Sequence, residues 1–459
     1  MTAAPSLKEA IAQVAGNFAG QFLTPSDVAY DGARKVHNGL IDKRPALIAQ
    51  CRGVADVVDA VALARKLALD VAVRGGGHNV AGRATVDGGL MIDLTHMKGI
   101  HVDPVARVAR VQGGVTWAEL NRETQLHGLA VTGGVVSSTG IAGLTLGGGL
   151  GWLMGKHGLA LDNLRSVELV TAAGEVLRAS TEEEPDLFWA VRGGGGNFGV
   201  ATTLEFGLHL VGPVVTGGLV AHPFDHARDV LKFFRESTAA LPDEQTVFGG
   251  LLHAPDGSGT KLAAMVTCHC GPLPDGEKAM QPLRTFGSPA MDAVGPIPYC
   301  QLNGMLDAGF PKGALNYWKA SFLSDLSDEC ITTMVDCFAQ CPTPMGCLLL
   351  EHFHGAATRV KPTDTAFPHR SDGYNFLVLS QWMDPAKTDA CIAWAKQTYA
   401  RMTPFMAAGR YANYLGDDES SDIAAAAYGV NYARLQRIKM KYDPENFFRI
   451  NQNILPRAT

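Results

Sequence analysis

The sequence predicts an α+β fold with at least two domains. A chain of 459 residues exceeds the size at which one hydrophobic core stops growing. Its first half contains a β-α-β pattern, and after Gly212-Pro213 the apolar residues change to the alternation of antiparallel strands. These observations place one boundary near residue 212 and a second near residue 409, where the alternation ends.

The β-α-β unit comes first along the chain. Residues 47–49 and 71–73 are short apolar strands, and residues 54–69 between them have the periodicity of an amphipathic helix. The second strand runs into Arg74-Gly75-Gly76-Gly77-His78-Asn79. A glycine loop at the end of a strand lies where α/β folds usually bind ligands.

Further strands and helices follow in order. The remaining strands expected in the first half are residues 91–94, 105–111, 166–171 and 200–210. Beyond residue 213 they are residues 214–221, 262–268, 348–354 and 374–383, and the expected helices are residues 227–239, 385–402 and 424–442. The second half is therefore predicted to be an antiparallel sheet backed by helices.

Glycine is concentrated in three loops. Residues 133–155 contain 9 glycines in 23 positions, and two further runs lie at residues 75–77 and 193–196. Glycine permits positive φ and close backbone approach, so such loops direct N–H groups at a pyrophosphate or lie flat against a planar ring. The third run, taken alone, is equally consistent with a flexible turn. A nicotinamide-binding Rossmann loop competes with flavin, but these glycines do not open a helix within one β-α-β unit.

Three motifs together carry a resemblance to a known family. They are Arg74-Gly75-Gly76-Gly77-His78, the run from Gly140 to Gly151, and the tail from Tyr411-Ala412-Asn413-Tyr414 to Asn451-Gln452-Asn453-Ile454. They are similar to the FAD-linked oxidases of the vanillyl-alcohol oxidase fold, in the subgroup with a berberine-bridge-enzyme C-terminal segment. The resemblance implies a PCMH-type FAD domain over residues 1–212, an inserted antiparallel-sheet substrate domain over residues 213–409, and a segment over residues 410–459 that completes the FAD domain.

The resemblance implies that FAD is bound covalently through His78. In the family the histidine after the glycine loop bonds to the flavin 8α carbon; a histidine that only packs or hydrogen-bonds a phosphate is the alternative. Many members add a second bond from a cysteine, and Val136 stands at that position here. The second bond is therefore expected to be absent, as in the 6-hydroxy-D-nicotine-oxidase-like branch.

The same alignment implies the other FAD contacts. Besides His78, the expected cofactor-binding residues are Arg74, Gly75, Gly76, Gly77, Asn79, Gly134, Ser138, Thr139, Gly140, Gly143, Gly147, Gly148, Val200, Asn451 and Asn453. Thr139 stands at a position thought to control the access of oxygen in this family, which favours an oxidase.

Tyr414 is the expected catalytic base, because a tyrosine of the C-terminal segment often has this role in the family. A phenol has a pKa near 10, so the site would have to lower that pKa with a cation or with hydrogen bonds to the phenolate. A purely structural tyrosine is the alternative. Glu351 and His352, on opposite faces of the predicted strand 348–354, are the next candidates. His352 and His354 form a possible metal pair, but no third ligand is evident and no metal is expected.

The implied reaction is the oxidation of a C–H bond next to oxygen or nitrogen in a small organic molecule. Hydride passes to flavin N5, a base takes the proton, and dioxygen is reduced to hydrogen peroxide. A dehydrogenase with another electron acceptor and a redox-silent flavin-binding protein stay open as alternatives. Aromatic residues of the second half point to an uncharged, aromatic substrate, and these are Phe310, Tyr317, Trp318, Phe322, Tyr374 and Trp382.

Composition excludes several other classes of protein. The formal net charge is -6, without the cluster of basic residues that nucleic acid requires, so nucleic acid is not an expected partner. No apolar run reaches the roughly 18 residues of a membrane span, and no signal peptide is recognisable, so a soluble cytoplasmic protein is expected. The nine cysteines lack paired metal-binding spacing and are expected to be reduced thiols.

Overall fold

Residues 6–211 form three sheets, of four, five and two strands, with their helices. The computed structural model describes residues 6–323, 325–418 and 423–457. The strands of this part are β1 (Gln21–Leu23), β2 (Leu47–Gln50), β3 (Val71–Arg74), β4 (Leu90–Asp93), β5 (Ile100–Asp103), β6 (Val108–Gln112), β7 (Leu129–Ala130), β8 (Leu164–Val170), β9 (Val176–Ser180), β10 (Val200–Gly207) and β11 (His209–Leu210). The helices are α1 (Leu7–Val14), α2 (Tyr30–Ala33), α3 (Val54–Lys66), α4 (Trp117–Thr124), α5 (Ile141–Gly147), α6 (Met154–His157) and α7 (Pro185–Val191).

The first sheet contains the predicted β-α-β unit. Its strand order is β1-β2-β4-β3, with β2, β4 and β3 parallel and β1 antiparallel to β2. Helix α3 connects β2 to β3 and buries Val57 and Val61 completely, because its apolar positions recur on one face. Strand β3 then delivers the glycine loop 74–79 at its carboxyl end.

The second sheet is antiparallel, with the order β5-β6-β10-β8-β9. It corrects one expected strand, because residues 104–107 form the turn between β5 and β6 and the strand starts only at Val108. Arg107 has φ 52° in that turn, a left-handed conformation that a strand cannot contain. The expected strand 200–210 is likewise divided into β10 and β11.

An eight-stranded sheet dominates the middle of the chain. Its strands are β12 (Val214–Pro223), β13 (Gln245–His253), β14 (Lys261–His269), β15 (Met291–Asp292), β16 (Gly295–Pro298), β17 (Leu315–Leu323), β18 (Cys347–Phe353) and β19 (Gly373–Trp382). The order is β15-β12-β14-β13-β18-β19-β17, with β16 also paired to β12, and every pairing is antiparallel. The helices of this part are α8 (Ala227–Thr238), α9 (Leu273–Thr285), α10 (Tyr299–Asn303), α11 (Asp328–Ala339), α12 (Ala356–Arg359) and α13 (Thr388–Met402).

The two faces of this sheet have different neighbours. On one face Leu348 and Leu350 of β18 pack in a core with residues of helices α8, α11 and α13. On the other face Leu377 and Leu379 of β19 pack with Cys347 and with the partly buried Leu349. Strand alternation therefore leaves one face available to the site described below.

The C-terminal segment returns to the first part of the chain. Its helices are α14 (Ile423–Tyr428) and α15 (Tyr432–Tyr442), so the expected helix 424–442 is interrupted at Gly429, which has φ 47°. Leu435 and Ile438 of α15 belong to the same hydrophobic core as the second sheet. Within the described ranges, no helix has the length and apolar character needed to cross a membrane.

Candidate active site

One large cavity lies between the glycine loops of the first part, the open face of the eight-stranded sheet and the C-terminal segment. From the expected set it is lined by Gly75, Gly76, Gly77, His78, Asn79, Gly134, Thr139, Gly140, Gly143, Gly147, Asn451, Glu351 and Tyr414. The loop and the strand that supply His78 and Glu351 are far apart in sequence, and the fold brings both side chains to one cavity.

The two main glycine loops meet backbone to backbone. A Cβ atom at Gly76 would lie 2.2 Å from the Gly140 nitrogen, and a Cβ atom at Gly140 would lie 2.3 Å from the Gly76 nitrogen. Real Cβ atoms do not approach backbone so closely, so both positions require glycine. This contact makes a continuous wall from the loop 74–79 and the start of helix α5.

Other glycines border open space in the cavity. A Cβ atom at Gly143, Gly195 or Gly196 would meet no protein atom within 4 Å, although all three residues line the cavity. The Asn451 side-chain oxygen is buried in the same wall without a hydrogen-bond partner. Glycine surfaces next to an unpaired polar atom fit a large planar, phosphate-bearing cofactor such as FAD. Of the run 193–196, ambiguous in the sequence, Gly195 and Gly196 belong to this wall.

His78 projects into the cavity as a neutral imidazole. Its Nε2 lies 2.9 Å from Ser138 Oγ and its Nδ1 lies 3.3 Å from Thr139 Oγ1. The ring stacks on His37, with 4.0 Å between the ring centroids. Burial, with smaller contributions from His37 and Lys312, lowers the pKa of His78 to about 3. A neutral ring keeps a lone pair on one nitrogen, which a nucleophile requires.

Two expected FAD contacts are structural supports instead. Arg74 does not line the cavity; its Nε donates to Asp93 Oδ1 over 3.0 Å, and this buried pair holds the base of the glycine loop. Gly148 contacts the C-terminal segment, because a Cβ atom there would lie 2.7 Å from the Tyr411 ring. Neither residue is among those that line the cavity.

Three other expected contacts also lie outside the cavity lining. Val200 is fully buried in the core of the first sheet, and its neighbours Gly199 and Ala201 face the cavity in its place. Ser138 reaches the site only through its hydrogen bond to His78. Asn453 lies beyond Gln452, the last residue of the tail to line the cavity.

Glu351 and Tyr414 form a hydrogen-bonded pair on the sheet side of the cavity. The Tyr414 hydroxyl donates to Glu351 Oε1 over 3.1 Å, and the Asn375 side-chain amide donates to Glu351 Oε2 over 2.6 Å. Asn375 is opposite Glu351 in the β18–β19 register, which accounts for the short contact. The carboxyl group is thus buried with one donor on each oxygen.

The electrostatics of this pair differ from those expected for Tyr414. Burial raises the pKa of Glu351 to about 7, opposed by the hydrogen bonds from Asn375 and Tyr414. Burial and the neighbouring Glu351 raise the pKa of Tyr414 well above its ordinary value. The expected lowering of the tyrosine pKa was wrong, because the hydroxyl is enclosed by protein and faces a carboxyl group instead of a cation. Of the two groups, Glu351 is the one whose pKa lies near neutral pH.

His352 lies outside the cavity, which corrects its expected catalytic place. Alternation along β18 puts it on the opposite face from Glu351, where its ring stacks on His354 with 4.8 Å between centroids. Its Nε2 lies 3.5 Å from Asp372 Oδ1. Burial lowers the pKa of His352 to about 3, so it is a neutral, packed histidine.

Of the six aromatic residues expected near the substrate, two line the cavity. Phe310 and Trp318 do so, with 6.1 Å between their ring centroids. Tyr374 packs against helix α8, and Trp382 bonds Thr388 of helix α13. Strand alternation groups the residues that share a face with Trp318. The sequence does not show which of the two faces borders the cavity.

Several residues of the site carry no signal in the sequence. His37 precedes the β-α-β unit and stacks on His78, and Asn375 is one polar residue in an apolar strand. Asp307 lies in the connection before β17 and accepts hydrogen bonds from the Ser137 N–H and Oγ. If the pairing of residues 351 and 375 across the two strands had been known, it would have identified Asn375 as a partner of Glu351.

Comparison with protein families gives two matches at opposite ends of the chain. Residues 45–180 match the model described as an FAD binding domain. Residues 410–455 match the model described as berberine and berberine like. The first match contains His78 and the two main glycine loops, and the second contains Tyr414 and Asn451.

Curated relatives and solved structures cover nearly the whole chain. An (R)-6-hydroxynicotine oxidase of Paenarthrobacter nicotinovorans is 32% identical over 96% of this chain and 97% of its own length. An FAD-linked oxidoreductase of Dictyostelium discoideum is 32% identical over 90% of this chain and 89% of its own. The crystal structure of 6-hydroxy-D-nicotine oxidase from Arthrobacter nicotinovorans superposes with a TM-score of 0.88 at 29% identity, covering 96% of this chain and 98% of that one. A chitooligosaccharide oxidase superposes with a TM-score of 0.84 at 25% identity, covering 99% and 100%.

Proposed function

Because this chain belongs to the FAD-linked oxidoreductases with a berberine-like C-terminal segment, we propose that it is an oxidase with FAD on a single covalent bond to His78. Its substrate is a small organic molecule with a C–H bond next to oxygen or nitrogen. The observation that carries the proposal is the hydrogen-bonded pair of buried Glu351 and half-buried Tyr414, which faces the same cavity as His78. FAD, when bound, supplies a hydride acceptor at flavin N5 and a route for the electrons to dioxygen, giving hydrogen peroxide.

The glycine loops and the tail would hold the cofactor. Gly143, Gly195 and Gly196 leave room for it, and Asn451 offers an unpaired amide oxygen. His78 is neutral over the whole physiological range, because its pKa is about 3, and one ring nitrogen is therefore available to form the covalent bond. Val136 lines the cavity at the position of the family's cysteine, and none of the described lining residues is a cysteine. A single histidyl link follows.

Glu351 is the proposed proton acceptor. A carboxyl group with a pKa of about 7 is partly ionised at neutral pH and takes the O–H or N–H proton as the neighbouring C–H bond breaks. Tyr414 keeps its own proton, donates to Glu351 and positions the carboxylate. Asn375 holds the second carboxylate oxygen, so the side chain has one orientation.

Acid precipitation tests the covalent link. The wild-type flavin should precipitate with the protein, whereas His78→Ala should release its FAD into the supernatant. Proteolysis should give one flavin-bearing peptide, which contains His78. Free FAD from the wild type, or a flavin on a cysteine peptide, would contradict the single histidyl link.

Anaerobic screening for flavin bleaching tests the reaction. The first compounds are (R)-6-hydroxynicotine and chitooligosaccharides, which the names of two similar proteins contain. A true substrate should bleach the flavin, and air should restore the colour with about one peroxide per product. Slow reoxidation in air with fast reoxidation by a quinone would identify a dehydrogenase. Flavin that dithionite reduces but no compound bleaches would favour a redox-silent protein.

A further inference from the structure

The part of the cavity against the eight-stranded sheet is apolar except at one point. Leu349, Leu377 and Leu379 form its surface on strands β18 and β19. Glu351, one alternation beyond Leu349, supplies the polar point together with Tyr414. A ligand hydroxyl set against these leucines would lose its hydrogen bonds to water without replacement, which is unfavourable.

The aromatic wall of this part offers ring surface without hydrogen-bond donors. Trp318 lies edge-to-face with Phe310 and with Tyr414, with 6.2 Å between the centroids of Trp318 and Tyr414. The Trp318 indole N–H donates to Asn316 Oδ1 over 3.1 Å, and the Tyr414 hydroxyl donates to Glu351. Both polar atoms are therefore already paired, and the rings present apolar surface to a ligand.

The charge of this part opposes an anionic ligand. Arg83 lines another part of the cavity and is paired with Asp417, with 3.2 Å between the charged atoms. Within the described portion of the sheet-side wall, which consists of Leu306, Phe310, Trp318, Leu349, Leu377 and Leu379 beside the Glu351–Tyr414 pair, no residue is cationic. An anion there would lie near Glu351, while Arg83 is paired with Asp417 and the charge of Lys312 acts on His78.

We propose that the substrate is an apolar ring compound with a single secondary alcohol group, or an amine group that reacts in its neutral form, rather than a sugar or an anion. This inference rests on the proposed oxidase function. The C–H bond breaks with its electron pair leaving as hydride to the bound flavin. The O–H or N–H proton passes to Glu351, and a ketone or an imine forms. Two electrons and one proton thus leave the substrate with the hydride, and the second proton leaves through Glu351.

Binding of product-like ligands to the flavin-loaded protein tests the inference without turnover. Calorimetry compares acetylnaphthalene, a neutral ketone, with naphthoate, which has the same ring and a negative charge, and with cellobiose. We expect the ketone to bind at least roughly ten-fold more tightly than either of the others. Equal or tighter binding of cellobiose or naphthoate would overturn the inference, and so would failure of all three to bind.

Variants locate the ligand in the sheet-side wall. Trp318→Ala and Leu349→Asn should each weaken ketone binding by roughly ten-fold, because each removes apolar contact area. Trp394→Phe changes a buried tryptophan in the core on the helix side of the sheet and should leave binding unchanged. Unaltered binding by both wall variants would overturn the inference even if the ketone binds to the wild type.

Flavin reduction separates this inference from the proposed function. Naphthylethanol or its amine analogue should bleach the flavin, and cellobiose should not. Bleaching by cellobiose would leave the oxidase standing and overturn the substrate class. Tight ketone binding without bleaching by the alcohol or the amine would support the ligand class and count against the oxidase.

Discussion

At the scale of single residues, Glu351 is the least ordinary side chain of the site. It is a carboxyl group buried on an apolar sheet face, with one donor on each oxygen. Two hydrogen bonds satisfy its polar atoms but do not replace the solvation of a full charge, and its pKa therefore rises to about 7. A carboxyl group tuned in this way exchanges protons at neutral pH.

Glu351→Gln should lower the rate of flavin reduction by roughly 10²- to 10⁴-fold, because the amide cannot accept the proton. In the wild type only the ionised carboxylate is active, so the rate should rise with pH through about 7 and then level off. The variant should lose that rise. Stopped-flow reduction across this pH range is the measurement, and an unchanged pH profile would exclude Glu351 as the base.

Tyr414→Phe distinguishes a positioning tyrosine from a base. The Tyr414 hydroxyl lowers the pKa of Glu351, so its removal should raise that pKa and move the rising limb of the profile to higher pH. The rate at pH 7 should fall, and most of the loss should be recovered at alkaline pH. Tyr411→Phe is the matched control, since the Tyr411 hydroxyl bonds Gly149 and Asn413 instead. A large loss at every pH would restore Tyr414 as the base.

At this scale the sequence located residues of the cavity better than it showed which side chains face the ligand. His78 was identifiable because it directly follows a glycine run, and strand alternation separated Glu351 from His352 correctly. Which of these two residues faces the ligand depends on the packing of helices against the other face of the sheet. The raised pKa of Tyr414 depends on burial and on Glu351, a neighbour 63 positions away in sequence.

At the scale of elements, a connection of the middle part holds the loop that contacts His78. Asp307 accepts hydrogen bonds from the Ser137 N–H and Oγ, at 2.7 Å and 2.5 Å. The next two residues, Ser138 and Thr139, contact both ring nitrogens of His78. The orientation of the imidazole therefore depends on a carboxylate from a separate segment of the chain.

Asp307→Asn should slow formation of the covalent link while leaving FAD able to bind. The amide keeps one acceptor oxygen but loses the charge that strengthens both hydrogen bonds from Ser137. The measurement is the fraction of flavin that resists acid precipitation, followed with time after FAD is added. Asp256→Asn is the control, because this exposed carboxylate lies between β13 and β14 and accepts from the Ser258 N–H. Equal rates in the Asp307 variant and the wild type would show that the contact does not orient His78.

A buried ion pair fixes the tail elements. Lys439 Nζ donates to Asp443 Oδ2 over 2.6 Å and also to the carbonyl oxygens of Asn197 and Phe448. Neither charged side chain of the pair is exposed. Asn197 and Phe448 both line the cavity, so this single ammonium group joins two parts of the cofactor wall.

Lys439→Met should lower the free energy of unfolding by about 3–5 kcal/mol, because it leaves Asp443 buried without its partner. Chemical denaturation followed by circular dichroism is the measurement. Lys441→Met breaks an exposed pair with Glu184 and should change stability by about 1 kcal/mol or less. Similar losses of unfolding free energy in the two variants would show that the contribution of the Lys439–Asp443 pair does not depend on its burial.

Helices and strands were predicted correctly where the periodicity of apolar residues was clear. A strand was missed where close packing requires glycine in place of an apolar side chain. Strands β2, β3 and β12 and helices α3 and α8 lie within a few residues of their expected positions. Strand β13 was not expected, because Gly249 and Gly250 interrupt its pattern. Both glycines are required by packing, since a Cβ atom at Gly250 would lie 2.4 Å from the Leu348 carbonyl oxygen.

At the scale of the whole molecule, buried contacts join segments distant in sequence. Arg370, from the connection between β18 and β19, makes two hydrogen bonds of 2.8 Å to Asp162 of the first part. The tail packs in the core of the second sheet. The packing of the tail against the first part of the chain was predicted only through the family resemblance. The periodicity of α15 shows an apolar face but not the surface that this face covers.

The position of the tail in the cavity wall has a consequence for biosynthesis. Phe448, Ile450, Asn451 and Gln452 line the cavity, and Lys439 anchors their segment to the loop that contains Asn197. Translation proceeds from the amino to the carboxyl terminus, so the ribosome releases these residues after every other part of the wall. The nascent chain therefore lacks a complete receptacle for FAD while the glycine loops are emerging. We therefore expect FAD to bind after translation is complete. Cells short of FAD should accumulate full-length protein that can still bind FAD when it is added.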